Sequence, residues 1–386
     1  MPTRVAVIGA TGSIGAQALE IIARYPQHFE LAGAVAGRRA AALREALTPF
    51  PAARAVLIDP DGPVPEGTAV GIEAACQLAG SADVDVVLVG GGGAGALLPT
   101  LAACRGGHLV AIATKEVLVM AGELVTETAH QHGARIVPVD SEHSAIWQCL
   151  RGERKESVQR LILTASGGAL RALPLAELSR VTPEQALDHP NWRMGPKVTI
   201  DTATMINKGL EVIEAHFLFD IPYQQIDVVI QPQSAIHSAV EFCDGTMMAQ
   251  LGVADMRAPI ALALSDGVRL PGVVPSLQLT ELARIDFEAV DPARYPALQV
   301  VRDAGARGGA VPAVMNAANE VAVAAFLDGR LAFMEISSLV ATVISDFQPP
   351  AQLGLEDLLA ADRWARERAE ALASQPSSPT PGAVTV

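Results

Sequence analysis

The feature that most constrains the fold is a glycine-rich turn between an apolar strand and an amphipathic helix near the start of the chain. Residues 4–8 (RVAVI) form a β-branched run, residues 9–15 read GATGSIG, and residues 16–25 have helical periodicity. A strand that enters a helix through a tight turn is the first half of a βαβ unit, which requires a parallel sheet. The small residues let a pyrophosphate approach the backbone, and the helix start offers it free N–H groups. The spacing favours a dinucleotide site, although such turns also use glycine for packing alone.

Three further apolar runs continue this pattern. Residues 29–36, 85–89 and 109–113 are rich in Val, Ile, Leu or Ala, and the last two follow Ala-rich stretches with helical character. Strands that alternate with helices indicate a parallel sheet covered on both faces. The sequence therefore predicts an α/β fold with an N-terminal doubly wound, Rossmann-like domain over residues 1–135 that binds the dinucleotide.

The pattern changes after residue 137. Short apolar runs separated by polar loops indicate a second sheet, and two stretches between them have helical character. The predicted strands are residues 161–164, 198–200, 226–230 and 247–251, and the predicted helices are residues 144–150 and 207–218. We therefore expect a central α+β catalytic domain, binding metal and substrate, over residues 136–275.

Beyond a Pro/Gly-rich connector the chain is mostly helical in pattern, with Ala-rich segments at residues 313–326 and 335–346. The Ser/Pro-rich C-terminal tail has too little apolar area to bury and is expected to be disordered. The expected segments are a linker at residues 276–290, a C-terminal helical bundle domain at residues 291–372 and the tail at residues 373–386.

Composition excludes several classes of partner. The 42 acidic and 28 basic side chains give a formal net charge of −14, which argues against nucleic acid and against an anionic membrane surface. No apolar run approaches the roughly 18 residues that a membrane span needs. The four cysteines (Cys76, Cys104, Cys149 and Cys243) have no CxxC spacing, so we expect buried thiols in a reducing compartment. Residues 1–4 lead directly into a strand, so we expect no signal peptide and a soluble, cytoplasmic protein.

The residues after the second predicted strand bear on cofactor choice. Enzymes that use NAD usually carry Asp or Glu there to bind the ribose hydroxyls, whereas this chain has Gly37, Arg38 and Arg39. Two guanidinium groups suit a 2′-phosphate, so the sequence predicts NADP(H). The alternative is that both arginines are solvated residues at a helix start.

Two carboxylates follow the apolar run at residues 134–137. In an extended backbone Asp140 and Glu142 would point to the same side, because side chains alternate along a strand. Paired carboxylate oxygens suit Mg²⁺ or Mn²⁺ better than zinc. Acidic pairs at strand ends are usually only solvated, so the rest of the chain must support a metal site.

A polar block downstream supplies that support. On a helix starting near Thr204, Asn207 and Glu211 are i,i+4 neighbours, and Lys208 and Glu211 are i,i+3 neighbours. Lys208 and the nearby hydroxyls, including Thr202, suit a phosphate, and Glu211 can supply a third oxygen to the metal. The alternative is an ordinary surface Lys–Glu pair.

Residues 186–196 (ALDHPNWRMGP) form a loop according to their prolines and glycine. An exposed loop seldom carries a large indole unless the indole covers something, so Trp192 indicates a lid that closes over substrate and excludes water. The alternative is that Trp192 anchors the loop on the core.

Other turns also follow predicted strands. Lys115 and Glu116 lie at the carboxyl edge of the first sheet, where ligands of open α/β sheets bind. Residues 164–168 (TASGG) suit an oxyanion or a phosphate, although Ser/Gly turns without such a role are common. The four glycines at residues 90–93 could lie near a nicotinamide or form only a flexible turn.

Several longer motifs occur in a fixed order from residue 5 to about residue 326. They are GATGSIG, the pair Lys115-Glu116, PVDSEHSAIWQ, HPNWRMG, DTATMINKGLEVIEA, QPQSAIHSAVEF and MNAANEVAVAAF. Together they closely resemble the 1-deoxy-D-xylulose 5-phosphate reductoisomerases. Ordered motifs of this length are far more specific than a glycine turn.

The resemblance implies the reaction and its cofactors. The chain would rearrange the carbon skeleton of 1-deoxy-D-xylulose 5-phosphate at a divalent cation (Mn²⁺, Mg²⁺ or Co²⁺). Hydride from NADPH would reduce the resulting branched aldehyde to 2-C-methyl-D-erythritol 4-phosphate, in the non-mevalonate route to isoprenoid precursors. The resemblance also implies a homodimer.

Site residues follow by position from the same resemblance. The catalytic set would be Lys115, Asp140, Glu142, His189 and Glu211, of which Asp140, Glu142 and Glu211 would bind the metal. The phosphate would contact Ser166, Thr202, Asn207 and Lys208, and the rest of the sugar would contact Lys115, Ser141, Glu142 and His189, under a lid that includes Trp192 and Met194. The cofactor would contact Thr11, Gly12, Ser13, Ile14, Gly37, Arg38, Arg39, Thr114, Glu116 and Gly195.

The chain departs from the usual family pattern at a few positions. Thr114 stands where Asn is usual, Arg38-Arg39 where Lys-Asn is usual, Thr202 where Ser is usual and Ala165 where Gly is usual. Position 38 still carries a cation and position 202 still carries a hydroxyl. Thr114 has no amide, so the amide contact to the cofactor that is usual at this position is in question.

Two alternatives remain at this point. One is another NADP-dependent dehydrogenase, of a small phosphorylated carbonyl compound or of the semialdehyde or homoserine type. A semialdehyde dehydrogenase would need a catalytic cysteine, and no cysteine here has a recognisable nucleophile context. The other is a non-enzymatic NADP-binding regulator, which would need none of the carboxylates.

Overall fold

A computed structural model describes residues 1–92, 94–190, 192, 194–350 and 353–374. The chain forms two compact units. The first contains the described residues of Met1–Ser166, Asn191–Met194 and Leu210–Val290, and the second contains those of Gly167–Pro190, Gly195–Gly209 and Asp291–Val386. The expected boundaries at residues 135, 275 and 290 remain predictions. Of the tail expected to be disordered, residues 375–386 lie outside the described residues.

Seven parallel strands form the first sheet, in the order β4-β3-β2-β1-β5-β6-β7. The strands are β1 (Thr3–Ile8), β2 (Phe29–Ala36), β3 (Arg54–Leu57), β4 (Thr68–Val70), β5 (Val86–Val89), β6 (Leu109–Ile112) and β7 (Arg135–Pro138). The strand order reverses direction between β1 and β5, which is the topological switch point of a doubly wound fold. The Rossmann-like prediction is confirmed.

Helices cover this sheet because the intervening stretches have one apolar face. They are α1 (Ser13–Arg24), α2 (Ala40–Ala46), α3 (Ile72–Ala79), α4 (Leu97–Arg105) and α5 (Lys115–His132). The next helix, α6 (Ser141–Cys149), follows β7 and packs Ile146 and Cys149 into a second core cluster. Val7 and Leu88 of the sheet pack in one core cluster with Ile21 of α1, and all three side chains are fully buried. Burial of each such side chain stabilises the fold by about 1.5–3 kcal/mol.

A second sheet in the same unit has four strands, in the order β11-β10-β8-β9. They are β8 (Val158–Ala165), β9 (Ile226–Ile230), β10 (Ile236–Phe242) and β11 (Met247–Leu251). β8 and β9 are parallel, whereas β10 is antiparallel to both of its neighbours. Three of the predicted strands are confirmed, and β10 was not predicted.

The expected strand at residues 198–200 is wrong, because these residues lie inside a helix. That helix begins at Pro196, whose ring presets a helical φ and whose missing N–H needs no partner in the first turn. Thr199 and Ile200 are buried, so a run of β-branched residues here indicated burial and not an extended backbone.

The remaining helices are α7 (Pro183–Leu187), α8 (Pro196–Thr204), α9 (Ile206–Phe219), α10 (Arg257–Leu264), α11 (Leu279–Leu282), α12 (Pro296–Arg307), α13 (Val311–Leu327), α14 (Glu335–Asp346) and α15 (Leu355–Ala373). In the second unit α13 packs against both α14 and α15. Most of its residues are buried on every side, which makes α13 the central helix of that unit. The helical character expected for this part of the chain is confirmed.

No helix in the described part of the chain is long and apolar enough to cross a membrane. All four cysteines are free thiols. Cys104 and Cys149 are buried, Cys76 is half-buried and Cys243 is exposed, so the expectation of buried thiols is wrong for Cys243.

Candidate functional site

The turn after β1 fits closely against the turn after β5. Gly9 has a φ of +86°, and a Cβ atom there would lie 2.4 Å from the backbone nitrogen of Gly91. A Cβ atom on Gly15 would lie 2.2 Å from the carbonyl oxygen of Gly9. Both positions therefore require glycine. The glycine-rich sequence brings the two turns together at the switch point, where open α/β sheets bind their ligands.

The predicted pyrophosphate residues line the exit of this turn. Gly12 precedes the first residue of α1 and has no side chain to cap the helix. The first N–H groups of α1 are therefore available to an anion. Thr11 and Ile14 are half-buried, whereas Gly12 and Ser13 are exposed.

The two arginines after β2 differ in their contacts. Arg39 Nη2 donates to the carbonyl oxygen of Thr11 at 3.4 Å, which holds its guanidinium beside the glycine turn. Arg38 Nη2 lies 3.5 Å from Asp59 Oδ2, and both side chains are mostly exposed. A Cβ atom on Gly37 would meet only open space. Arg39 thus lies next to the glycine turn, and Arg38 directly precedes Arg39 in the chain, a pair of cations that suits a 2′-phosphate.

Thr114 and Glu116 lie at the start of α5. Thr114 is buried, and its hydroxyl donates to the carbonyl oxygens of Gly91 and Val89. The threonine therefore joins the start of α5 to the turn after β5. Glu116 is half-buried in the first turn of α5. Of the four glycines at residues 90–93, Gly93 lies outside the described residues.

Three carboxylates converge beside the start of α5. Asp140, Glu142 and Glu211 each place an oxygen within 4.8 Å of the others. The expected extended geometry is wrong, because β7 ends at Pro138 and Asp140 is the N-cap of α6. Asp140 Oδ1 accepts from the backbone N–H of Glu142 at 3.1 Å, and this cap turns both carboxylates toward one point.

Lys115 lies between two of these carboxylates. Its Nζ is 2.9 Å from Asp140 Oδ2 and 2.9 Å from Glu211 Oε1. The side chains of Lys115 and Asp140 are 12% exposed and that of Glu211 is 1% exposed. Burial by itself disfavours the charge, but Asp140, Glu211 and Glu214 raise the pKa of Lys115 well above its usual value. The ammonium is therefore charged at neutral pH.

The ring of Phe217 on α9 lies against α5 near this cluster. A Cβ atom on Gly122 of α5 would lie 2.3 Å from that ring. Glycine at position 122 therefore leaves room for the Phe217 ring.

A fully buried histidine supports the cluster and was not identified from the sequence. His143 Nε2 donates to the carbonyl oxygen of Glu211 at 2.9 Å. Its Nδ1 lies 3.0 Å from Asp140 Oδ1 and 3.3 Å from Glu214 Oε2. Because the Glu211 carbonyl and the Asp140 carboxylate both accept, both ring nitrogens carry protons. Burial opposes this charge, but Glu214 and Asp140 raise the pKa of His143 to about 9, while burial raises the pKa of Glu214 to about 7.

This donor set fits a divalent cation. Three carboxylates provide hard oxygen ligands of the kind that Mg²⁺ and Mn²⁺ prefer. A second group, Asp140, His143 and Glu214, also has its atoms within 4.8 Å. Both nitrogens of His143 are hydrogen-bond donors, so that group does not offer a nitrogen lone pair. The structure therefore favours the first group, Asp140, Glu142 and Glu211, as the ligands of a cation. Ser141 donates a hydrogen bond to Glu142 Oε2.

Three of the predicted phosphate residues lie in one helix–turn–helix segment. Thr202 is on α8, where its hydroxyl donates to the carbonyl oxygen of Val198 at 2.8 Å. Met205, with a left-handed φ of +65°, separates α8 from α9. Asn207 and Lys208 follow in the first turn of α9, and Lys208 is only 4% exposed. The predicted Ser166 is half-buried and directly follows β8.

The loop predicted to form a lid is shorter than residues 186–196. Residues 186 and 187 end α7, and Pro196 begins α8, so the loop between these helices spans residues 188–195. Burial lowers the pKa of His189 below its usual value of 6.5. The ring centroid of Trp192 lies 6.2 Å from that of His237. Met194 is half-buried and Gly195 is exposed, whereas residues 191 and 193 lie outside the described residues.

The fold and site together define a class of protein. A Rossmann-like sheet with arginines beside its glycine turn, and a three-carboxylate cluster at the carboxyl edge of that sheet, are the parts of an NADP-dependent oxidoreductase that uses a divalent cation. Comparison with known sequences and structures identifies the family within this class.

Most of the chain matches one set of family descriptions. Residues 5–122 match 1-deoxy-D-xylulose 5-phosphate reductoisomerase, residues 136–219 match its C-terminal domain and residues 251–368 match the DXP reductoisomerase C-terminal domain. The reductoisomerase of Pelotomaculum thermopropionicum is 46% identical over 94% of this chain and 96% of the relative. That of Anaeromyxobacter dehalogenans is 47% identical over 95% of this chain and 96% of the relative.

Comparison with solved structures gives the same family. The reductoisomerase of Zymomonas mobilis in complex with NADPH is 42% identical, has a TM-score of 0.90 and covers 97% of this chain and 100% of its own. A DOX-P reductoisomerase in complex with NADPH, fosmidomycin and magnesium is 36% identical, has a TM-score of 0.89 and covers 96% of this chain and 98% of its own. The chain belongs to the 1-deoxy-D-xylulose 5-phosphate reductoisomerase family.

Proposed function

We propose that Asp140, Glu142 and Glu211 hold the divalent cation of the reductoisomerase reaction. The observation that carries this proposal is the position of Lys115, whose ammonium lies 2.9 Å from both Asp140 and Glu211. The cluster is thus built to accept a positive charge at the point where its oxygens converge. A bound divalent cation would act there as a Lewis acid toward the substrate oxygens.

The overall reaction is that of the family. The chain converts 1-deoxy-D-xylulose 5-phosphate to 2-C-methyl-D-erythritol 4-phosphate with NADPH and a divalent cation, in the synthesis of isoprenoid precursors. It is an NADP-dependent oxidoreductase, and this family assignment favours the reductoisomerase over the other dehydrogenases that the sequence left open.

The cofactor assignment is supported by the turns at the switch point. Thr11, Gly12, Ser13 and Ile14 would bind the pyrophosphate at the start of α1, and Gly37, Arg38 and Arg39 would surround the 2′-phosphate. Arg39, held beside the turn by Thr11, is the better placed of the two cations. Glu116 and Gly195 would lie along the cofactor. Thr114 would act indirectly, because its hydroxyl already binds the turn after β5.

The substrate is a small phosphorylated sugar, and its phosphate would contact Ser166, Thr202, Asn207 and Lys208. Lys208 is buried and cationic by residue type, which suits an anion that has lost its hydration. The Thr202 hydroxyl, which donates to the Val198 carbonyl oxygen, would donate to the phosphate on rotating about its C–O bond.

The other contacts would orient the sugar. Lys115, being charged, would donate hydrogen bonds to a substrate oxygen and neutralise negative charge that develops on it. Ser141 and Glu142 would contact the sugar from the start of α6. His189 would bind a hydroxyl as a neutral ring, because burial lowers its pKa. Trp192 and Met194 would close over the substrate and exclude water.

The first experiment is NADPH oxidation, followed by the absorbance of the nicotinamide, with 1-deoxy-D-xylulose 5-phosphate and with or without Mn²⁺ or Mg²⁺. Oxidation that depends on both substrate and cation is the expected result. NADPH binding without oxidation would contradict the assignment and would favour a non-enzymatic regulator.

We also propose that the chain works as a homodimer in the cytoplasm. The free thiols support a reducing compartment, and the family resemblance supports the dimer. Light scattering of the purified chain should give twice the mass of 40.2 kDa.

A further inference from the structure

We propose that the helices of the second unit position its phosphate-binding segment, and that Asn319 of α13 is the positioning residue for α8. This inference rests on the proposed function, because it concerns Thr202, Asn207 and Lys208 as phosphate residues. It assigns a role in substrate binding to a side chain on the central helix of that unit.

The main contact joins two buried side chains. Asn319 Nδ2 donates to Asp201 Oδ1 at 2.8 Å, and the two residues are 0% and 1% exposed. The other oxygen, Asp201 Oδ2, lies 3.0 Å from Lys197 Nζ. Asp201 directly precedes Thr202, so this carboxylate fixes the rotation of α8 at the position from which the threonine hydroxyl is presented.

The side-chain amide of Asn319 is paired through its donor group. Among the described residues, Asn319 Oδ1 has no hydrogen-bond partner, although it is fully buried. A leucine, which has the same branched shape, would avoid the cost of this unpaired oxygen but would lose the bond to Asp201. The bond to Asp201 is therefore the interaction that offsets the burial of the amide.

Contacts from α12 hold the rest of the segment. A Cβ atom on Gly209 would lie 2.6 Å from the side chain of Val301, so α12 packs directly on the residue after Lys208. Tyr295, just before α12, donates its hydroxyl proton to the carbonyl oxygen of Gly167 at 2.9 Å. A Cβ atom on the adjacent Gly168 would lie 2.7 Å from Ala203 Cα, so this turn abuts the end of α8.

A merely structural role for Asn319 is the competing explanation, and the chain offers a matched control. Asn316 lies one turn earlier on α13 and is also 0% exposed. Its Nδ2 donates to Glu320 Oε1 at 3.2 Å, and Glu320 pairs with Arg366 of α15. Loss of Asn316 should therefore perturb the helical core without changing the contact to Asp201.

The test compares Asn319→Leu with Asn316→Leu in the full chain. We would measure kcat, the KM for 1-deoxy-D-xylulose 5-phosphate, the KM for NADPH and the inhibition constant of inorganic phosphate. For Asn319→Leu we expect the substrate KM and the phosphate inhibition constant to rise about tenfold, the size of one charge-assisted hydrogen bond. The KM for NADPH should change by less than about twofold, and Asn316→Leu should shift none of these constants by more than about twofold.

Equal effects of the two variants, or an unchanged phosphate inhibition constant in Asn319→Leu, would overturn the proposal. Should the leucine variants fail to fold, Asn319→Asp decides. It should weaken phosphate binding, because two carboxylates then face each other. Adding Asp201→Asn should reverse this effect, since the new amide on α8 can donate to the new carboxylate on α13 while still accepting from Lys197. No weakening, or weakening that the second change does not reverse, would overturn the proposal.

Lys208→Met separates this inference from the proposed function. If Lys208→Met leaves the inhibition constant of phosphate unchanged, the phosphate site itself is wrong. If Lys208→Met raises that constant and Asn319→Leu does not, only the positioning role is wrong.

Discussion

Lys115 Nζ and Glu211 Oε1 lie 2.9 Å apart, in a place where the glutamate side chain is only 1% exposed. The ammonium neutralises part of the charge of three converging carboxylates. A divalent cation would act on the same oxygens, so lysine and cation contribute to the stability of one cluster.

Replacing Lys115 by Met should lower the stability of the chain without added cation, because it removes the ammonium that offsets the buried charges of Asp140 and Glu211. The expected loss is about 3 kcal/mol, the lower end for breaking a buried pair. Mn²⁺ should then raise the melting temperature more in the variant than in the unmodified chain, as calorimetry after EDTA treatment would measure. Lys155→Met is the control, since Lys155 pairs with Asp220 at the surface. If Mn²⁺ raised the melting temperature equally in Lys115→Met and in the unmodified chain, this would argue against a site that lysine and cation share.

Glu142→Gln should abolish turnover, because it removes one charged oxygen ligand from the predicted metal site. NADPH affinity should be nearly unchanged, since Glu142 lies in the first turn of α6 and not in the glycine turn. Steady-state kinetics and fluorescence titration would measure the two effects. Glu156→Gln, at an exposed position, should alter neither. Normal turnover in Glu142→Gln would disprove the metal assignment.

Arg38→Ala and Arg39→Ala should each weaken NADPH binding by about 1–3 kcal/mol, as expected for a lost charge-assisted contact. NADH, which lacks the 2′-phosphate, should bind almost as before. Titration with both cofactors measures this difference, and Arg44→Ala on the exposed part of α2 provides the control. Equal losses for NADPH and NADH would exclude the 2′-phosphate role.

The KM for the substrate should rise as the pH falls below 6.5. Burial lowers the pKa of His189 below that value, so the ring is neutral at pH 7 and gains a proton only in more acidic solution. A protonated ring can no longer accept a hydrogen bond from a sugar hydroxyl. His189→Gln should have a higher KM at pH 7 and lose this acidic rise. If the KM rose equally at acidic pH in His189→Gln and in the unmodified chain, another titrating group would be the cause of the rise.

Local patterns predicted the N-terminal sheet because glycine turns and buried apolar runs leave few alternatives. The same patterns could not place residues 198–200, since a buried β-branched run is compatible with a helix once Pro196 starts one. They also gave the wrong backbone for Asp140 and Glu142, although the two carboxylates do converge. An N-cap aspartate and an extended aspartate have the same local sequence signal, and only the end of β7 at Pro138 distinguishes them.

The buried residues that contact the proposed site residues could not be predicted from the sequence, for a different reason. His143 lies three residues after Asp140, and Glu214 lies three residues after Glu211, so both are i,i+3 neighbours of predicted metal ligands. Their burial, however, depends on how α6 and α9 pack. The bond from Asn319 to Asp201 joins positions 118 residues apart, and no local spacing predicts it. The proposed metal and phosphate residues were found because they cluster in short motifs.

The two turns at the switch point tolerate change unequally. A methyl group on Gly9 would collide with the neighbouring backbone, whereas one on Gly91 would come no closer than 3.7 Å to Gly9, and one on Gly37 would meet nothing. An engineering library aimed at cofactor preference should therefore keep positions 9 and 15 constant. Diversity belongs at positions 37 and 91, because new side chains there would leave the fit between the two turns intact.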